Sequence, residues 1–279
     1  MADATFLFRT GRVKWILDLT PLQGFTNNAV GRYTHDFQMD LKMDLKPSQF
    51  LFSLFSRYKY LFLHLKLHDI IISKMKKIIY DKFDKNAITA LPKITFPGRI
   101  ITIISPEETE QAVDYLLESD ILGVDTETRP AFKKGEQHKV ALLQVSTRDT
   151  CFLFRLNHTG MTPAILRLLE NEKVPMIGLS LHDDILSLHK SADFKPGLFI
   201  DLQNVVGELG IQDLSLQKLY ANLFSRKISK RQRLTNWDAP VLTDKQKAYA
   251  ATDAWTCINL YEEIGRLKAT GDYEIIHHA

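Results

Sequence analysis

Two cysteines in 279 residues are too few for a disulfide framework. Cys151 and Cys257 both sit in apolar runs, so buried, reduced thiols in a cytoplasmic setting are expected. The chain has no internal repeat and no low-complexity tract. It also lacks an unbroken apolar run long enough to cross a bilayer. The most apolar stretch, Phe50–Ser73, is interrupted by Arg57, Lys59, Lys66 and Asp69. Each would cost roughly 2.5–3.5 kcal/mol at a bilayer centre, which argues against a membrane span. The stretch lies too far from the N-terminus for a secretory signal. The overall composition is 45% apolar, 25% charged and 10% aromatic, which excludes collagen-like and wholly disordered chains.

Residues 1–74 contain no glutamate. They carry ten Lys/Arg against six Asp, a net of +4, whereas residues 75–279 carry 26 Lys/Arg against 27 Asp/Glu, a net of −1. The formal +3 of the whole chain therefore originates in the first quarter. In the balanced remainder, contact with a polyanion must come from local basic patches. The first quarter holds eight of the sixteen Phe and shows no ordered succession of turns, caps and periods. Arg9, Arg12 and Lys14 give only a weak transit-peptide pattern. Residues 1–74 are therefore expected to be a poorly ordered extension, with Met75 as an alternative start. The other reading is a small helical or membrane-surface appendage. The working domain is expected at 75–279, with its motif-bearing core at 98–268.

Within that domain Gly98–Ser105 reads as a β-branched strand, and Ser105-Pro106-Glu107-Glu108 as an N-cap, helix-initiating proline and capping-box acid. Strands are expected at Ile121–Thr128, Lys139–Ser146 and Thr150–Phe154, the last two joined across a hairpin-sized gap. Thr162-Pro163 opens a helix. Pro175–Gly178 is a short strand leading into a helix near His182–Lys190, and Leu198–Asp201 is a further strand. Leu214–Phe224 is helical, and a basic segment follows at Arg226–Arg233. Thr243-Asp244-Lys245-Gln246 is a second capping box, for a helix running to about Lys268. Three consecutive strands followed by alternating helix and strand specify an α/β fold with a mixed sheet flanked by helices.

Carboxylates fall at three separated places. Asp125 and Glu127 lie two apart on a strand and share a face. Two ionised acids on a buried strand repel unless a cation sits between them, and oxygen ligands favour Mg²⁺ or Mn²⁺. Of the pair Asp183-Asp184, Asp184 lies one helical turn before Leu188 and is taken as the inward acid. Tyr249 and Asp253 are spaced i, i+4 and share a helix face, with small Ala250 and Ala251 between them. Each place has an ordinary structural explanation when taken alone: a solvated strand end, acids complementing a helix dipole, and a core tyrosine beside a surface acid.

Taken in order, Asp-x-Glu on a strand, Asp at a helix start and Tyr-x-x-x-Asp on a late helix resemble the DEDD superfamily of 3′–5′ exonucleases. The Tyr branch (DEDDy), which includes ribonuclease D and Werner-type exonuclease domains, is the better fit. The His branch would place histidine where Ala248 stands. Lys139–Ser146 and Arg233-Leu234-Thr235-Asn236-Trp237 resemble further family segments. The short stand-alone bacterial proteins are the most similar in layout. The resemblance implies a ribonuclease H-like fold and release of nucleoside 5′-monophosphates from the 3′ end of RNA or DNA. It implies two divalent ions, Mg²⁺ or Mn²⁺, held by Asp125, Glu127, Asp184 and Asp253, and a water oriented by Tyr249. A nucleic-acid-binding module of the same fold with weak or absent catalysis is the alternative. Substrate phosphates are expected to meet Lys133, Lys134 and Lys139 in one loop, and Lys227, Lys230, Arg231 and Arg233 in the basic segment. Phe132 is a candidate for base stacking, and Trp237 is read as a packing residue.

Overall fold

The computed structural model describes residues 4–10, 13–19 and 76–278. The chain divides between Leu67 and His68 into two units. In the first, β1 (Ala4–Thr10) and β2 (Val13–Leu19) pair antiparallel, Ala4 opposite Leu19 and Thr10 opposite Val13. The sequence pattern raises no expectation of this hairpin. The rest of the expected extension, and the alternative start at Met75, lie outside the described residues.

In the second unit β3 (Lys77–Tyr80) precedes β4 (Arg99–Ile103), α1 (Pro106–Leu117), β5 (Leu122–Thr128), β6 (Val140–Ser146) and β7 (Thr150–Phe154). Next come α2 (Leu156–Thr159), α3 (Pro163–Leu169), β8 (Met176–Gly178), α4 (Leu181–His189), β9 (Phe199–Asp201) and α5 (Leu202–Val206). The last elements are α6 (Leu216–Phe224), α7 (Asp244–Thr270) and β10 (Tyr273–Ile276). Six strands form one sheet in the order β4-β7-β6-β5-β8-β9. β6 runs antiparallel to both β5 and β7, and the other three pairings are parallel, so the sheet is mixed as expected.

Both faces of the sheet are covered, which is why every residue of β6 and β7 is buried. The alternation assigns them cleanly. Val124, Leu143, Val145, Phe152 and Phe154 pack with Val113 and Leu116 of α1 and Ile165 and Leu168 of α3. On the other face Leu142, Cys151 and Leu153 pack with Trp237 and with Ala250 and Ala251 of α7. Fully burying one such aliphatic side chain contributes about 1.5–3 kcal/mol.

The expected caps are present. Ser105 Oγ accepts from Glu108 N at 3.2 Å, and Glu108 reaches back to Ile104 N. Thr243 Oγ1 accepts from Gln246 N, and Gln246 Oε1 accepts from Thr243 N. Gln246 Nε2 also donates to Thr235 Oγ1 and the Asn236 carbonyl, tying the preceding loop to the start of α7. A second, two-stranded parallel sheet joins β10 to β3, which the sequence reading had not identified. No helix among the described residues is long and apolar enough to cross a membrane.

Candidate active site

Strand β5 is at the centre of the site. Leu122 and Val124 face α1 and α3, so Gly123, Asp125 and Glu127 face α7. At Gly123 the helix comes as close as backbone allows. A Cβ there would lie 2.0 Å from the Ala254 carbonyl oxygen. Glycine on the strand and alanines on the helix thus let α7 lie directly on β5, and this delivers Asp253 to the two strand acids. One carboxylate oxygen from each of Asp125, Glu127 and Asp253 falls within a 4.8 Å group.

Asp184 arrives from the opposite side of the strand end. It is half-buried in the first turn of α4 and accepts from the Thr126 hydroxyl, while Asp183 is exposed. The sequence-based choice between the two adjacent acids therefore matches the burial. Asp184 lies outside the three-carboxylate group, yet its charge is felt by Asp125 and Glu127. The turn before α4 is held unusually. Ser180 adopts a left-handed backbone at φ 61°, and Asp201 accepts from Ser180 N at 3.1 Å and Leu181 N at 2.8 Å. Asp201 thus caps the helix from the end of β9, as an acid at a helix N-terminus should.

The electrostatics follow from burial and crowding. Burial raises Asp125 well above the ordinary carboxyl range, and the charges of Asp184, Asp253 and Glu127 raise it further. Glu127 is pushed up to about 9 by burial, then by Asp253 and Asp184, with Arg233 opposing. Asp253 reaches about 7 through burial, partly offset by the Tyr249 hydroxyl and Lys230. Asp184 reaches about 6 through burial, which its bond from Thr126 opposes. Tyr249 is raised by burial and by the negative charge of Asp253 and Glu127. Four acids raised together mark a place that lacks positive charge. An all-oxygen donor set with this spacing fits a hard divalent cation, and the buried, unpartnered Oδ1 of Asp253 is a free ligand position.

Tyr249 stands one helical turn before Asp253, its ring packed against that of the fully buried Trp237 with centroids 6.1 Å apart. Trp237 is therefore a packing residue, as expected. Cys151 and Cys257 are both buried free thiols. The candidate substrate residues divide. Lys133 and Lys134 are exposed in the loop after β5, where Phe132 is 80% exposed. Lys230 and Arg233 are exposed, and their charges act on Asp253 and Glu127 respectively. Arg231 lines a cavity of about 390 Å³ with Lys93, Lys245 and Tyr249. Lys139 lines another, of about 400 Å³, with Leu156, Met161 and Asp238. Lys227 is committed elsewhere, because its ammonium donates to the Thr89 carbonyl and its backbone bridges to Lys93.

Sequence reasoning had not singled out Gly123, Thr126, Gln144 or Asp201. For Gln144 a signal existed: one amide in the otherwise apolar run Val-Ala-Leu-Leu-Gln-Val.

A family model described as 3′-5′ exonuclease matches residues 100–267, and the chain belongs to that family. The bifunctional 3′-5′ exonuclease/ATP-dependent helicase WRN of Mus musculus is 29% identical over 199 residues, 68% of this chain and 14% of the mouse protein. Ribonuclease D of Haemophilus influenzae is 33% identical over 196 residues, 69% of this chain and 48% of that enzyme. The chain thus spans less than half the length of either relative. Among solved structures the Nibbler EXO domain of Aedes aegypti superposes with a TM-score of 0.59 at 17% identity, covering 65% of this chain and 95% of that one. The sheet and its flanking helices are those of a ribonuclease H-like exonuclease fold.

Proposed function

We propose that this chain is a DEDDy-type 3′–5′ exonuclease that releases nucleoside 5′-monophosphates from the 3′ end of a nucleic acid. The observation that carries this reading is the convergence of Asp125, Glu127 and Asp253 in one group of carboxylates, with Tyr249 one helical turn from Asp253. Asp125, Glu127, Asp184 and Asp253 would hold two divalent ions, Mg²⁺ or Mn²⁺. Such ions, when bound, acidify an attacking water and neutralise charge on the leaving oxygen.

The chain's own residues do the rest. Tyr249, whose phenol burial keeps protonated, is a hydrogen-bond donor that orients the water and is not a base. Lys230 and Arg233, close enough to act on the carboxylates, are suited to hold the scissile phosphate beside them. Exposed Lys133, Lys134 and Arg231 are further candidates for phosphate contacts, and exposed Phe132 offers a face for a base. Such contacts weaken as salt rises. Residues 1–74 are an extension that the reaction does not need. The buried thiols suit a reducing compartment such as the cytoplasm.

The test is hydrolysis of 5′-labelled single-stranded RNA and DNA by the full chain with Mg²⁺ or Mn²⁺. Asp125→Asn and Asp253→Asn should each abolish the ladder of shortened products while retaining the wild-type circular dichroism spectrum. Tyr249→Phe should lower kcat about 10²-fold, the scale of a misplaced reactant, with ion binding kept. Binding of the oligonucleotide without ion-stimulated shortening would favour a non-catalytic binding module of the same fold.

A further inference from the structure

Strand β6 carries a buried amide that the site described above leaves unused. Gln144 is fully buried, and neither its Oε1 nor its Nε2 has a hydrogen-bond partner among the described residues. A buried polar group left without a hydrogen bond destabilises the fold, so a glutamine in the middle of this apolar strand calls for a partner. The register says where to look. Gln144 lies directly opposite Asp125 in the antiparallel β5–β6 pair, so the two side chains share the face that α7 covers.

Few groups on that face can answer an amide. Leu142 lies two residues before Gln144 on the strand, and Leu153 lies opposite on β7. Ser146, the nearest hydroxyl along the strand, already donates to the Thr147 carbonyl. Helix α7 brings alanines at 250, 251 and 254, and then Asp253, whose Oδ1 is also buried and unpartnered. Gln144 and Asp253 therefore leave three orphaned atoms on one face, beside a carboxylate that needs its orientation fixed.

We infer that Gln144 is a positioning residue for Asp125 that acts through buried water: one water accepts from its Nε2 and donates to an Asp125 carboxylate oxygen, and another donates to its Oε1 and to Asp253 Oδ1. The two bridging waters satisfy all three orphans, none of which has a direct protein partner, and turn the remaining Asp125 oxygen toward the divalent ions. It rests on the exonuclease reading above.

The experiment compares wild type with Gln144→Met, which keeps length and packing and removes both polar atoms. In chelator, the melting temperature of the variant should stay close to that of wild type, because the lost water bridges are offset by no longer having to desolvate an amide. The Mn²⁺ dissociation constant, by calorimetry on the full chain, should rise about 10–100-fold, the usual effect of losing an outer-shell partner. Turnover on a single-stranded oligonucleotide should fall at limiting Mn²⁺ and recover at saturating Mn²⁺, with KM for the oligonucleotide unchanged.

Wild-type Mn²⁺ affinity in the variant overturns the assignment, and so does a lowered melting temperature with unchanged affinity, since that is a packing effect. Should the variant fail to fold, a crystal structure of wild type with Mn²⁺ decides. An amide with no ordered water bridging it to Asp125 overturns the proposal. Wild type that neither binds Mn²⁺ nor shortens the oligonucleotide removes the exonuclease reading and this inference with it. Wild type that does both beside an unaffected variant removes only the role of Gln144.

Discussion

Asp125, Glu127, Asp184 and Asp253 have raised pKa values for a shared reason: each has lost water to burial. Repulsion from neighbouring acids adds to this at Asp125, Glu127 and Asp184. A carboxyl whose folded value exceeds its unfolded one takes up a proton on folding, so the folded form is favoured in acid and loses that advantage as pH rises. The loss starts near the unfolded value of about 4. It continues through about 6 for Asp184, about 7 for Asp253 and about 9 for Glu127. In chelator the melting temperature should therefore decline from pH 5 to pH 9. Asp253→Asn, which removes one of the crowded charges, should flatten that decline, and saturating Mn²⁺ should flatten it in wild type. Parallel melting curves for wild type and Asp253→Asn would show that the acids do not share a field. The acids and Tyr249 were legible in the sequence because their chemistry and their spacing coincide. Gln144 was not, because its meaning depends on the residue across the sheet, which only the register supplies.

Elements matter here through how closely they approach one another. α7 carries Asp253, and its distance from β5 is set at Gly123, where a Cβ would sit 2.0 Å from a backbone carbonyl that cannot move independently of the helix. Gly123→Ala should push α7 off the strand, destabilise the fold by about 1–3 kcal/mol or more, and remove activity beyond what the loss of folded protein explains. Gly265→Ala, on the same helix with open space around it, is the control, expected to add about 0.5–1 kcal/mol. Denaturant melts and ion-stimulated hydrolysis of both variants check this; an active, stable Gly123→Ala protein would contradict the close packing. Strands with β-branched runs and helices with capping boxes were readable to within a residue or two, since those signals are local. β3, β10 and the short α5 were not. Lys77–Tyr80 and Tyr273–Ile276 are four residues each and become strands only by pairing with one another across nearly two hundred residues.

At the scale of the molecule, that pairing closes the working unit. β3 is bracketed from α6 by Asn222, which accepts from Tyr80 N at 2.9 Å and donates to the Tyr80 carbonyl at 2.7 Å. Asp81, buried just beyond, accepts from His278 N at 2.9 Å, so both ends of the unit are held by one side chain. Phe83 N donates to Asp213, and the backbone near Pro92 and Ile94 pairs with Lys227 at the foot of the basic segment. The family match begins only at residue 100, yet Ile79, Ile88 and Phe96, all upstream of it, are buried. Removing three such side chains gives up roughly 5–9 kcal/mol of burial, comparable with the whole stability of an ordinary domain at about 5–15 kcal/mol. On the proposed function, a chain beginning at Met75 should melt cooperatively and keep the ion-stimulated hydrolysis of the full chain, and loss of either would make residues 1–74 part of the working unit. A chain beginning at Gly98, although it keeps every catalytic candidate, should lose its cooperative thermal transition by circular dichroism and its activity together. An unchanged midpoint for the Gly98 chain would make β3 and the segment up to Phe96 an appendage, and the core of the domain would then be the six-stranded sheet and its helices alone.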